Sequence, residues 1–122
     1  MTRDEISKMT DEELQKALAE AMGWTDVDEH ESWMDGWPPN ATFSRTIPDW
    51  PTDPTASAQL RQELWKRCAI IVLKQYVATV VVDLVLAGQR RVVRVPIATD
   101  PIAAECRAVA EAALQALTEA ER

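Results

Sequence analysis

Glycine and histidine are scarce in this chain, with three glycines in 122 residues and a single histidine, His30. So few glycines exclude a glycine-rich phosphate loop or a strained nucleophile turn, because both need backbone that turns sharply or approaches a ligand closely. Cysteine occurs only at Cys68 and Cys106, which form neither a disulfide framework nor a paired zinc-ligand spacing. Both are expected to be reduced thiols serving as core side chains. No stretch reaches the roughly 18 consecutive apolar residues of a membrane span, and the opening Met1-Thr2-Arg3-Asp4-Glu5 is acidic, without the apolar centre of a secretory signal. The expectation is a cytosolic protein with no membrane partner. Basic charge is also short: 13 Lys and Arg against 20 Asp and Glu leave a net charge of −7. That balance argues against sequence-independent nucleic-acid binding, which depends on cationic side chains displacing counterions.

What is present suits one ordinary globular domain: 47% hydrophobic and 27% charged residues in a chain near the commonest domain length. Thr2-Arg3-Asp4-Glu5 and Thr10-Asp11-Glu12-Glu13 read as capping boxes, each opening a helix. The second helix places Leu14, Ala17, Leu18, Ala21 and Met22 on one face before Gly23, and that face is expected to dock on a sheet. From Trp24 to Pro51 the chain is polar and turn-rich, with tryptophans interleaved, and reads as a connection with a short strand or two. Thr52-Asp53-Pro54 and Thr99-Asp100-Pro101 each put a capping carboxylate just before a proline suited to the first helical position. They predict helices running to about Arg67 and about Ala120. The first carries Leu60, Leu64 and Cys68 on an apolar stripe, and the second Ile102, Cys106, Val109, Ala113 and Leu117.

Between those helices, valine-rich runs over 70–73, 76–86 and 90–97 predict a strand followed by a hairpin that turns at Ala87-Gly88-Gln89. Alternation sets Tyr76, Ala78, Val80, Val82, Leu84 and Leu86 on one face, with Val77, Thr79, Val81, Asp83 and Val85 on the other. Both faces are largely apolar, which predicts cover on each, from helices or from a partner subunit. The fold class expected is α/β (α+β), an α-β-α layered sandwich around a small, mainly antiparallel sheet.

Four landmarks occur in order along the chain: Arg3-Asp4-Glu5-Ile6, a helix ending in Met22-Gly23-Trp24, Ile47-Pro48-Asp49-Trp50-Pro51-Thr52-Asp53, and Ala103-Ala104-Glu105-Cys106-Arg107-Ala108. Together they resemble the phage ABA-sandwich domain family of small phage and prophage proteins. The sequence departs from that pattern at 33–40, at Trp50 in place of tyrosine and at Pro51 in place of serine. The resemblance implies an α-β-α layer architecture and a phage setting in the host bacterial cytoplasm. It carries over no catalytic residues.

Candidate sites are few. Asp26, Asp28, Glu29, His30 and Glu31 contain metal-ligand types, but their spacing matches no calcium loop or zinc motif, so they read as a solvated acidic loop and no metal is expected. Trp33, Trp37 and Trp50, near Arg45, have the aromatic faces and polar neighbours that would stack a planar ligand. The alternative, that they glue the connection to the body or line an oligomer interface, fits tryptophan's usual roles better. Arg90, Arg91 and Arg94 form a basic stripe that could meet a phosphate or carboxylates, although charge on an edge strand also blocks stray sheet pairing. Asp53 and Asp100 already fill the two long helix starts with negative charge, leaving no anion site there. The candidate ligand-binding set is therefore Trp33, Trp37, Trp50, Arg45, Arg90 and Arg94, with no cofactor and no catalytic residue.

These readings favour a non-enzymatic phage accessory protein that binds a host protein or a small ligand, as a homo-oligomer, with counter-defence suggested by the phage setting alone. The rivals are a small metal-assisted hydrolase using Asp28, His30 and Glu31, and an oligomeric virion or assembly component.

Overall fold

The structure is a computed structural model that describes residues 2–67 and 69–120; Cys68 lies outside the described residues. The helix starts follow the capping chemistry. Helix α1 (Arg3–Ser7) begins at Thr2, whose Oγ1 accepts the Glu5 N–H at 3.2 Å. At α2 (Asp11–Ala21) the box closes both ways: Thr10 Oγ1 accepts from the Glu13 N–H at 3.1 Å, and the Glu13 carboxylate accepts from the Thr10 N–H at 3.0 Å. The two repeated tripeptides act alike. Asp53 accepts from the Thr55 N–H at 3.1 Å ahead of α3 (Pro54–Lys66), and Asp100 from the Ile102 N–H at 3.0 Å ahead of α4 (Pro101–Ala120).

The tryptophan-rich connection holds three strands rather than one or two. β1 (Thr25–Glu29), β2 (Met34–Trp37) and β3 (Arg45–Thr46) pair antiparallel in that order. Gln15, a buried polar residue on an otherwise apolar helix face, anchors the stretch that follows: its Nε2 donates to the Ile47 carbonyl at 3.0 Å and the Pro48 carbonyl at 3.1 Å. Buried Trp50 packs edge-on against Trp24, with centroids 6.4 Å apart.

The second sheet is the antiparallel meander β4 (Ile70–Gln75), β5 (Thr79–Leu86) and β6 (Gln89–Pro96). The sequence predicts one strand over 76–86, but the chain turns at 76–78, where the Tyr76 N–H donates to the Thr79 carbonyl at 2.8 Å. Tyr76 therefore sits across from Thr79, on the Val81 face and not on the Val80 face. The β5–β6 turn, Ala87-Gly88, has φ of +53° and +77°, so both central residues are left-handed, as the two-residue hairpin that matches strand twist requires.

The layers are stacked on α4. One side of α4 meets β5 and β6, and α1, α2 and α3 also pack against it. Every residue from Ala108 to Leu117 is buried, and five of those ten are alanines, which let neighbouring elements come close on all sides. Val80, Val82, Leu84 and Val93 enter this core from the sheet, Leu14 and Leu18 from α2, and Leu60 and Leu64 from α3. The result is the mixed, layered α/β fold with antiparallel sheets that the sequence predicts. Three details differ: the strands form two small sheets and not one, helices cover one face of β4–β6 and not both, and the apolar face of α2 lies chiefly on α4 and only marginally on a strand. Cys106 is in the core as expected; burial pushes its thiol up, against a weaker pull from the Ser57 hydroxyl.

Arg107 ties the N-terminal helices to α4. Its guanidinium reaches the Glu111 carboxylate at 2.7 Å, Asp11 at 2.9 Å and the Met9 carbonyl at 2.6 Å. Burial lowers the pKa of Arg107, but the bonds to Glu111 and Asp11 outweigh it and hold the group above the ordinary arginine value. Burial pushes the Glu111 carboxyl up, and Arg107 pulls it only partly back.

Two outcomes follow from these contacts. Ala87→Asn relieves a left-handed alanine worth about 1 kcal/mol and should raise Tm by about 3–5 °C in a thermal melt. Arg107→Met strands a carboxylate that is 5% exposed and should cost about 3–5 kcal/mol in urea unfolding, with R107M/E111L recovering most of the loss. A carboxyl raised in the folded state favours folding below its unfolded pKa and loses that contribution as pH rises through the folded value. R107M should therefore lose stability more steeply than the wild type as pH rises above about 4.3, while the double variant should not.

Candidate binding face

The sheet β4–β6 has two unlike faces. Its inner face lies on α4; among the described residues no helix packs on its outer face. Strand register sets the outer face in rows: Ile70, Val85 and Arg90; Val72, Asp83 and Val92; Lys74, Val81 and Arg94; then Tyr76, Thr79 and Pro96. Valines 72, 81 and 92 make an apolar floor, with Lys74 and Arg94 on either side of Val81. The depression between them has a volume of about 420 Å³, within the size range of small-ligand sites.

Charge on this face is organised. Arg90 reaches diagonally to Asp83, its Nε donating to the two carboxylate oxygens at 3.0 and 3.1 Å and its Nη2 to Oδ2 at 2.5 Å. The Arg90 hydrogen bond holds the Asp83 carboxyl below its usual range, against a smaller push from burial and with help from the charges of Arg90 and Lys74. Arg90 is raised in turn by the same bond. With Asp83 engaged by Arg90, Lys74 and Arg94 leave the face cationic in a chain of net charge −7. Val81 is 9% exposed although it lies on the outer face, because its neighbours crowd over it.

The candidate ligand residues do not come together. Arg90 and Arg94 are on this face. Trp50 is 4% exposed and belongs to the core. Trp33, half exposed, stacks on His30 with centroids 3.8 Å apart and lines an acidic cleft with Asp11, Glu12, Glu29 and Asp49. Trp37 lines a separate depression beside Gly23 and Pro38, and Arg45 is exposed on β3. His30 Nε2 lies 3.4 Å from Asp35, and among the described residues no three His, Cys, Asp or Glu side chains are grouped to hold a metal ion. Lys74 and Tyr76 were missed by sequence reasoning. No local signal marks the turn at 76–78, which lacks glycine and proline and puts Tyr76 on the face that Lys74 shares.

The Asp83–Arg90 pair sets an acid response. A carboxyl lowered in the folded state contributes stability above its unfolded pKa and loses it as pH falls through the folded one. Asp83→Asn should therefore shrink the fall in Tm measured as pH drops below about 4, leaving the neutral circular dichroism spectrum unchanged.

Compared with known proteins, the chain matches no family model, no curated protein and no solved structure.

Proposed function

We propose that this protein works by binding rather than by catalysis, and that the outer face of β4–β6 holds a small anionic ligand with an apolar or aromatic part, of nucleotide size. The observation that carries this reading is the uncovered valine floor between two cations, Lys74 and Arg94, beside Tyr76. Lys74 and Arg94 would take the negative charge, and Tyr76 with the valines the planar or apolar part.

The setting is that of a phage accessory protein in the host bacterial cytoplasm, in keeping with the resemblance to the phage ABA-sandwich family. Among the described residues no helix is long and apolar enough to cross a membrane. In that setting, sequestering a signal nucleotide of host defence is the role this chemistry suits. The hydrolase alternative has less support, since Asp28, His30 and Glu31 belong to no ligand-competent group among the described residues.

The test is native mass spectrometry of the purified protein for a retained nucleotide, followed by calorimetric titration with mononucleotides and cyclic dinucleotides. Binding is expected, and K74E/R94E should weaken it about tenfold or more while leaving the melt unchanged. Equal binding by K74E/R94E, or none by any nucleotide, would overturn the small-ligand reading and favour a host protein as partner.

A further inference from the structure

The two edges of the β4–β6 sheet are treated differently. The β6 edge carries Arg90, Arg91, Arg94 and Pro96, residues that discourage pairing with another strand. The β4 edge, Ile-Ile-Val-Leu-Lys-Gln, is six residues long with one charge and no proline, and among the described residues it pairs with β5 alone. Beside it runs an apolar groove of about 440 Å³ between β4 and α3, walled by Ala58, Arg61, Trp65, Ile71 and Leu73. Trp65 is 73% exposed there, and Arg61 Nε is buried without a hydrogen-bond acceptor among the described residues.

The hydrogen bonding of this edge follows from one contact. The Tyr76 N–H donates to the Thr79 carbonyl, so Tyr76 and Thr79 form a hydrogen-bonded pair. Antiparallel pairs alternate, which makes Lys74–Val81, Val72–Asp83 and Ile70–Val85 the bonded pairs within the sheet. The backbone groups of Ile71, Leu73 and Gln75 therefore point outward, away from β5, and pair with no other strand among the described residues.

We infer that the β4 edge pairs antiparallel with the β4 edge of a second copy of this chain, about a twofold axis at Val72, joining the two sheets into one of six strands. Twofold pairing must match outward-facing residues; registers centred on Ile71 or Gln75 pair only the ends of the strand, which leaves those centred on Val72, on Leu73 or between Leu73 and Gln75. The last sets Lys74 against its own mate and is excluded by repulsion. The Val72 register bonds Ile71 to Leu73 of the other copy and Leu73 to its Ile71, covers Val72 with Val72, and lays the aliphatic stem of Lys74 along Ile70. It brings together the two most exposed valine and isoleucine side chains of the strand, which are 45% and 60% exposed, and opposes no like charges. A second copy fits better than an acidic partner because the edge itself is apolar and nearly uncharged, whereas the cationic groups lie on the sheet face.

The pairing borders the ligand face and shares Val72 and Lys74 with it, so the ligand reading is tested with a variant that lies outside the shared residues. Light scattering of the full chain should give twice the 13.7 kDa of a single chain. Val72→Lys puts two ammonium groups together at the axis, so it should be monomeric while keeping the wild-type circular dichroism spectrum and a cooperative melt. Val72→Cys should form an interchain disulfide under mild oxidation, because a non-hydrogen-bonded antiparallel pair has suitable Cα spacing, and Lys74→Cys should not. A wild-type monomer at the highest attainable concentration overturns the inference, as does a dimer that survives V72K and gives no V72C cross-link. Nucleotide titration of R94E alone, a residue of β6 away from the β4 edge, reads the ligand site separately, so failure of one result does not entail failure of the other.

Discussion

The fold depends on one constraint: α4 is buried around its whole circumference. A helix with a polar face needs one surface to cover it, but the run from Ala108 to Leu117 has no polar face to give to water. The sheet must lie on one side and the other helices on the rest. The two polar residues inside that run, Glu111 and Gln115, are buried with it, and Glu111 is tolerable only because Arg107 lies one turn earlier at hydrogen-bond distance. The same arginine holds the carbonyls at the end of α1 and the first turn of α2, so the element that organises the core also gathers the N-terminal helices.

Placing all helices against α4 leaves the far face of the β4–β6 sheet without cover. Its side chains resolve the exposure in two ways. Charge pairs and cations break up the valines on the face itself, where Asp83 and Arg90 neutralise each other and Lys74 and Arg94 stay available. The β4 edge has no such device, and the neighbouring groove exposes Trp65. Face and edge are thus chemically distinct surfaces, one cationic and one apolar, and they meet at Val72 and Lys74.

Much of the fold was legible because local chemistry and tertiary structure agree. The four helix starts are each written in a hydroxyl or carboxylate placed just before the first turn, and the strands in valine alternation. The site was less legible. Trp33, Trp37 and Trp50 read alike in sequence, yet Trp50 packs into the core against Trp24 while Trp33 stacks on His30 at a cleft edge. Nothing local separates a tryptophan that fills a core from one that lines a surface. Tyr76 was assigned to the wrong face because a turn without glycine or proline gives no punctuation, and a shift at one turn exchanges the two faces of a strand.

The sequence by itself determined the element types, their capped starts, the antiparallel hairpin and an overall negative charge, because these depend on side chains within a few residues of one another. Only the tertiary structure decided that α2 lies on a helix and not a sheet, that Gln15 and Arg107 bridge distant segments, and that one sheet face is left uncovered. Those outcomes depend on which surfaces compete for α4, and that competition is between residues up to about a hundred positions apart, as the 101-residue separation of Arg107 from Ile6 illustrates.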